Sequence, residues 1–295
     1  MFHPYYDFAI IGGDMRQIYM ANELIVRDLS VIVYGLKDSL LNPSCYRAAS
    51  LSEAIDSSQI IMTPIPISKD GYGITAQEPG PDLTIGQLLS FLTPIHKLYG
   101  GCLTKEIIDY CKINNIFYQD FMENEEVIIY NTIATAEGAI AEAINNSTTN
   151  LHGSSCLIIG YGRCARTLAE KLKGLCNRID IAARSSNALA DAYAAAFGTM
   201  KISELKANIH QYDYIFNTVP ALILTKELLA LTKPDVVIID IASAPGGVDY
   251  PIAKEYKKNC KLCLGLPGKF APKSSATFLV NHVLSNAGKK CYYVS

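Results

Sequence analysis

The chain has 295 residues, 49% of them hydrophobic, and a formal charge of −2. That length favours two domains over one, and the near-neutral charge, with no basic block, excludes a nucleic-acid or anionic-membrane surface. The 9 cysteines are scattered, the first residues lack the basic and apolar runs of a secretory signal, and no unbroken apolar run reaches the roughly 18 residues of a membrane span, so a reducing cytoplasm with free thiols is expected.

The N-terminal part alternates apolar runs with helical patterns. Residues 7–11, 30–34 and 59–62 read as strands, and 18–28 and 51–57 as helices. Such alternation implies a parallel sheet with right-handed crossovers. Between the first strand and helix, Gly12-Gly13-Asp14-Met15-Arg16-Gln17 forms a turn without the full glycine spacing of a dinucleotide site. The helix N-terminus there, with Arg16, suits a carboxylate; the alternative is a solvated first-turn arginine. Residues 67–83, rich in glycine, proline and polar residues, read as a mobile loop. Helices are expected at 84–93 and 104–114, and extended segments at 97–102 and 116–121. A long helix over 124–145 carries Glu125 and Glu126 in its first turn, where the helix dipole favours acids. A polar hinge over 149–155 follows.

The sharpest signal comes next. Leu157, Ile158 and Ile159 lead into Gly160-Tyr161-Gly162-Arg163-Cys164-Ala165, and a helical pattern with Leu168, Ala169 and Leu172 on one face follows. This is the dinucleotide fingerprint in strand–turn–helix context. Gly160 permits the tight turn, Gly162 leaves the backbone open to a pyrophosphate, and Ala165 lets the helix pack on the strand. The next strand, 179–183, ends in Arg184-Ser185-Ser186. An NAD-selective site places an acid there, about 20 residues past the glycines. A guanidinium pairs instead with a 2′-phosphate, and serines add short donors, so NADP is the expected cofactor. The alternative is an exposed arginine in an ordinary loop.

Further on, helices are expected at 188–197, 202–208 and 225–231, strands at 214–219, 236–241 and 261–266, and a final helix at 274–288. Ligands of open α/β sheets lie beyond the carboxyl ends of the strands. Thr218-Val219-Pro220, Ala242-Ser243-Ala244-Pro245 and Gly265-Leu266-Pro267-Gly268 are therefore expected to approach a ribose and a nicotinamide; the alternative is loops stopped by proline. Cys260 and Cys263 fall in an expected strand rather than at a helix start, which argues against a redox pair. His3, His96, His152, His210 and His282 stand apart, so no metal site is expected. Neither a serine-hydrolase elbow nor a Walker loop is present.

The fold class expected is α/β, with two doubly wound, Rossmann-like parallel-sheet domains joined by a long connector helix. Residues 1–123 form the substrate domain, 124–148 the connector, 149–273 the NADP-binding domain, and 274–295 a helical segment packing back on the first domain. The ligand cleft is expected beside the connector.

An ordered set of motifs spans nearly the whole chain: Gly12-Gly-Asp-Met-Arg16, Asn131-Thr-Ile-Ala-Thr-Ala-Glu-Gly138, Gly160-Tyr-Gly-Arg163, Ala183-Arg-Ser-Ser186, Asn217-Thr-Val-Pro220, Asp240-Ile-Ala-Ser243 with Pro245-Gly-Gly247, and Gly265-Leu-Pro-Gly268 with Ala271-Pro-Lys-Ser274. The set resembles the dipicolinate synthase A-subunit family of spore-forming bacteria. It departs at Cys164-Ala165, where the family carries a small or hydroxyl residue and a glycine; alanine still fits the fingerprint. The resemblance implies an NADP-linked oxidation of dihydrodipicolinate to dipicolinate, pyridine-2,6-dicarboxylate, in the mother cell of a sporulating bacterium. It also implies the flavoprotein-like dipicolinate synthase B-subunit as partner and a homo-oligomer within that complex. On this reading Arg16 and Lys273 meet the carboxylates, and Thr132, Thr135 and Ser274 are hydroxyl donors. Glu137 takes the proton, or else pairs structurally with Arg16 or Lys273. Two rivals stay open: a shikimate or 2-hydroxy-acid dehydrogenase, which shares the two-domain plan, and a nucleotide-binding component without chemistry of its own.

Overall fold

The computed structural model describes residues 5–286. The chain divides into two compact units, Met1–Ile128 with Ala271–Ser295, and Ile129–Phe270. His3 and the expected last turn of the final helix, residues 287–288, lie outside the described residues.

The first unit runs β1 (Phe8–Ile11), α1 (Met15–Val26), β2 (Val31–Tyr34), β3 (Tyr46–Arg47), α2 (Leu51–Asp56), β4 (Ile60–Met62), α3 (Ile85–Phe91), β5 (Lys97–Gly100), α4 (Lys105–Ile113) and β6 (Phe117–Asp120). α5 (Glu125–Asn145) then passes from the first unit into the second. The second unit continues β7 (Ser155–Ile159), α6 (Arg163–Leu172), β8 (Arg178–Ala183), α7 (Ser186–Ala194), β9 (Gly198–Lys201), α8 (Leu205–Asn208), β10 (Tyr214–Asn217), α9 (Lys226–Leu231), β11 (Val237–Asp240), α10 (Tyr250–Glu255), β12 (Asn259–Leu262) and α11 (Leu266–Phe270). α12 (Pro272–Asn286) belongs to the first unit, where it packs on α1.

Each unit holds one six-stranded sheet, ordered β3-β2-β1-β4-β5-β6 in the first and β9-β8-β7-β10-β11-β12 in the second. All pairings are parallel. Both are the 3-2-1-4-5-6 order of a doubly wound sheet, which reverses direction between its first and fourth strands. The expected two-domain α/β class is therefore what the chain adopts. The apolar runs are continuous because both sheet faces are covered. Phe8 and Ile10 of β1 face one core with Leu24, Leu279 and Val283, while Ala9 and Ile11 face another with Leu51, Leu88 and Ile107. In the second unit Cys156 and Ile158 of β7 face Ala139, Ala165 and Leu168, and Leu157 and Ile159 face Leu205, Ile215 and Leu229.

By length and composition α5 could cross a membrane. Four of its apolar side chains enter the two cores, Val127 in the first unit and Ala136, Ala139 and Ala143 in the second, while Ile129, Ile133 and Ile144 are exposed. Gly138 lets α11 close on this helix, since a Cβ there would lie 2.8 Å from Phe270 Cδ2 and 3.1 Å from Leu266 Cβ.

Several elements differ from expectation. β3 and β9 are short edge strands, largely exposed, with no alternation to betray them. α10 starts on an Asp249 cap with Pro251 in its first turn, a start signal at 249–251. The last strand sits at Asn259–Leu262, set by its pairing with β11, and residues 263–265 turn into α11. The expected loop over 67–83 is anchored at three points: Ile67, Ile74 and Leu83 are buried, and Ile74 N donates to Leu83 O at 2.9 Å.

His282 on α12 ties that helix to β6. With its Nε2 as acceptor it receives bonds from Gln119 Nε2 at 2.7 Å and Asn286 Nδ2 at 3.1 Å. Burial lowers its pKa although Glu126 lies 3.9 Å from Nδ1. Burial lowers His96 as well. A depressed folded-state pKa means that the unfolded chain takes up protons first, near pH 6.5, so stability falls as pH drops below that value. The urea midpoint should therefore fall between pH 7 and about 5, and His282→Gln should flatten part of that fall. An unchanged slope in the variant would contradict the assignment.

Candidate functional site

The two units share a topology but treat their first helix oppositely. In the second, β7 ends at Gly160, whose φ of +95° suits glycine. A Cβ there would meet Thr218 Oγ1 at 2.4 Å. Gly162 is the N-cap of α6 and offers no capping side chain. A Cβ at Gly162 would meet nothing within 4 Å. Nothing among the described residues thus demands a glycine at 162; the bare backbone faces open space at a helix N-terminus, which suits an anion. Ala165 is fully buried in the α6–sheet contact.

In the first unit the same position is closed. Asp14 caps α1, accepting from Arg16 N at 2.9 Å, while Gln17 Oε1 accepts from Asp14 N at 2.9 Å. A Cβ at Gly13 would meet the Gln17 side chain at 2.2 Å. The N-terminus of α1 already holds a carboxylate, so a phosphate would meet like charge there. Arg16 is not solvated; it is 5% exposed. Its Nε bonds Asp14 Oδ1 at 3.0 Å, and its Nη2 bonds Asp14 Oδ2 at 2.8 Å and Ile65 O at 2.5 Å. These bonds leave Nη1 unused.

The rest of the fingerprint is arranged as follows. Tyr161 is buried, stacked under the Arg166 guanidinium at 4.7 Å and edge-on to Phe197. Arg166 also pairs with Asp191 at 2.6 Å. Arg163 and Gly162 are exposed, and Cys164 is half-buried. Burial raises the Cys164 thiol, which keeps it protonated and unreactive. β8 ends in buried Ala183, and Arg184, Ser185 and Ser186 stand exposed where α7 begins. Arg184 has no partner among the described residues. Ser185 Oγ caps α7 by accepting from Ala188 N at 3.4 Å. The strand's own acid, Asp180, is buried and points elsewhere, bonded to Tyr212 at 2.5 Å and to Arg178 at 2.5 Å.

Thr218 Oγ1 donates to Ile159 O at 2.9 Å, which ties the end of β10 to the fingerprint strand. Val219 is half-buried and Pro220 exposed. Ala242 is buried, and Pro267 lies in α11, half-buried. Two polar residues not singled out from the sequence hold these loops: Asn217 and Asp240, each fully buried at a strand end and bonded to one another at 2.8 Å. Their signal was a polar residue closing an apolar strand.

The connector residues are spoken for. Thr132 is buried, donates to Ile129 O at 2.6 Å and meets Thr167 Oγ1 at 2.7 Å. Thr135 donates to Asn131 O at 2.8 Å. Glu137 pairs with Lys171 Nζ at 2.8 Å, not with Arg16 or Lys273. Lys273 and Ser274 are exposed in the first turn of α12 rather than in a loop. Beside them Ser275 Oγ is buried without a hydrogen-bond partner. Burial raises the thiols of Cys260 and Cys263, the spacing not expected to form a redox pair, to about 12 and about 11, which disfavours exchange chemistry.

Comparison with known proteins agrees with this geometry. Residues 7–122 match the family described as the N-terminal domain of the dipicolinate synthase A-subunit, and residues 127–249 match the NAD-binding domain of D-isomer specific 2-hydroxyacid dehydrogenases. The chain is 30% identical to the dipicolinate synthase A-subunit of Bacillus subtilis, with 92% of this chain and 93% of that protein covered. The crystal structure of the dipicolinate synthase A-subunit from Bacillus halodurans superposes with a TM-score of 0.84 at 25% identity, covering 97% of this chain and 99% of that one. A transhydrogenase from Sinorhizobium meliloti shares the fold, with a TM-score of 0.60 at 12% identity over 93% of this chain and 94% of that one. Fingerprint and match together identify the second unit as a dehydrogenase-type domain for a nicotinamide dinucleotide.

The two glycines should separate under mutation. Gly160→Ala should cost about 1–3 kcal/mol of stability through its left-handed backbone. Gly162→Ser should add a helix cap and keep the unfolding midpoint, yet weaken dinucleotide binding at least about tenfold. Loss of stability without loss of binding in Gly162→Ser, read by urea unfolding and NAD(P)H fluorescence, would contradict the placement.

Proposed function

Because the chain belongs to the dipicolinate synthase A-subunit family, we propose that it oxidises dihydrodipicolinate to dipicolinate with NADP, in a complex with the dipicolinate synthase B-subunit in a sporulating cell. The observation that carries the cofactor choice is Arg184, an exposed arginine without a partner among the described residues, at the end of β8, where an acid would select NAD. It stands at the start of α7, so a 2′-phosphate there would meet a guanidinium, the Ser186 hydroxyl and a second helix N-terminus together.

The reaction removes two hydrogens from the ring, one as hydride and one as proton. A bound oxidised nicotinamide supplies the hydride acceptor. Aromatisation of the pyridine drives the step, so the protein's task is orientation more than acid–base work. The substrate's two carboxylates call for cationic and N–H partners. Arg16 offers its unused Nη1, already oriented by Asp14 and Ile65. Lys273, Ser274 and Ser275 offer an ammonium and two hydroxyls in the first turn of α12. Thr132 and Thr135 are spent on α5 and its contact with α6, so we give them no direct contact with substrate. The released proton passes to solvent, and Glu137 keeps its exposed ion pair with Lys171.

Two measurements test this. Arg184→Ala should weaken NADPH binding by about ten- to a hundredfold and leave NADH unchanged; an equal loss for both would sink the 2′-phosphate assignment. Arg16→Met and Lys273→Met should each raise the KM for dihydrodipicolinate and weaken dipicolinate binding, with NADPH affinity unchanged. Turnover by the B-subunit alone, without this chain, would remove the enzyme assignment.

A further inference from the structure

Asp240, the last residue of β11, is a fully buried carboxylate without a counter-cation. Its Oδ1 accepts from Asn217 Nδ2 at 2.8 Å and from Ala242 N at 3.0 Å. Its Oδ2 accepts from Gly247 N and from the Tyr250 hydroxyl, each at 2.7 Å. Among the described residues no lysine, arginine or histidine pairs with it. Buried carboxylates are ordinarily paired or neutralised, because an isolated charge is costly in a low dielectric. Here four neutral donors solvate the charge and none cancels it.

The surrounding loop is shaped to this carboxylate. Gly246, at φ +86°, would bring a Cβ to 2.5 Å from Asp240 Oδ2, and a Cβ at Gly247 would meet Asn217 Nδ2 at 2.4 Å. The Asn217 side chain in turn fixes Val219, donating to its O at 3.0 Å and accepting from its N at 3.2 Å. One charge therefore sits under both loops that follow β10 and β11.

Topology identifies what lies above it. In a 3-2-1-4-5-6 sheet the pyrophosphate crosses at the switch point, here between β7 and β10. By that rule the adenosine half of a bound dinucleotide would lie toward β8 and the nicotinamide half over the ends of β10 and β11. The oxidised nicotinamide ring is a cation and the reduced ring is neutral. We infer that Asp240 is a specificity-determining positioning residue, whose buried negative charge favours the oxidised cofactor over the reduced one at this site. The inference rests on the dinucleotide reading above. A neutral, reduced ring would not feel this attraction and would leave more readily, which suits a unit working in the oxidising direction.

The test measures the dissociation constants of NADP+ by calorimetry and of NADPH by fluorescence, on the full chain. Asp240→Asn keeps the shape and removes the charge; Tyr250→Phe removes a hydrogen bond and keeps the charge. The preference for NADP+ over NADPH should fall at least about tenfold in Asp240→Asn, the order expected for one charge acting over roughly 12 Å or less at an effective dielectric near 20, and should hold in Tyr250→Phe. An unchanged preference in Asp240→Asn, or an equal shift in both variants, overturns the inference. Should Asp240→Asn not fold, the wild-type chain decides: tighter binding of NADPH than of NADP+ overturns it. Failure of the wild type to bind either nucleotide is a different result, which removes the dinucleotide reading and the inference with it.

Discussion

Whether a helix N-terminus is open or closed divides the labour in this protein. α1 and α6 follow the first strand of two sheets with the same strand order. α1 is sealed by the Asp14 carboxylate and the Gln17 amide. α6 begins at Gly162, with no side chain over its first turn. An unpaired N–H cluster at the end of a macrodipole attracts an anion, and a capping carboxylate satisfies the same groups from within. The sealed start orients Arg16, and the open one is free to receive a pyrophosphate. Topology alone would have assigned both units the same ligand.

The second constraint is charge held without compensation. Arg184 presents a cation at the surface beside α7, and Asp240 holds an anion in the interior below the opposite half of the same sheet end. A phosphorylated, oxidised pyridine nucleotide is negative at its 2′-phosphate and positive at its nicotinamide ring. On the proposed reading the polarity of the unit is the complement of this, a cation toward the phosphate and an anion toward the ring. Exposure sets the difference between the two ends: a charge on a surface arginine is screened by solvent, whereas a charge on a buried carboxylate is screened much less.

Much of this was legible in the residues. Continuous apolar runs marked β1, β7 and β11, because parallel strands covered on both faces keep every side chain apolar. The glycine spacing and the missing acid after β8 were readable because backbone access and charge are local properties. What failed was non-local. β3 and β9 are strands only because a neighbour pairs with them, and their own residues are exposed. Residues 67–83 looked mobile by composition, yet Ile67, Ile74 and Leu83 anchor them. Beyond their local bonds to Asp14 and Ile129, Arg16 and Thr132 have partners 49 and 35 positions away, at Ile65 and Thr167, and the partner of Glu137, Lys171, lies 34 away; no spacing rule reaches these. Asn217 and Asp240 were quoted as motif residues, but their roles depend on a bond between two strands.

Competition with fragments of the nucleotide addresses the central claim most directly. With NADPH bound to the purified chain and followed by its fluorescence, 2′-phospho-ADP-ribose, which keeps the pyrophosphate and the 2′-phosphate but lacks nicotinamide, should displace it at a far lower concentration than ADP-ribose. Nicotinamide mononucleotide, which lacks the bridging pyrophosphate, should compete weakly. Equal displacement by all three, or by none, would contradict an account built on an open helix N-terminus and a phosphate-gripping arginine.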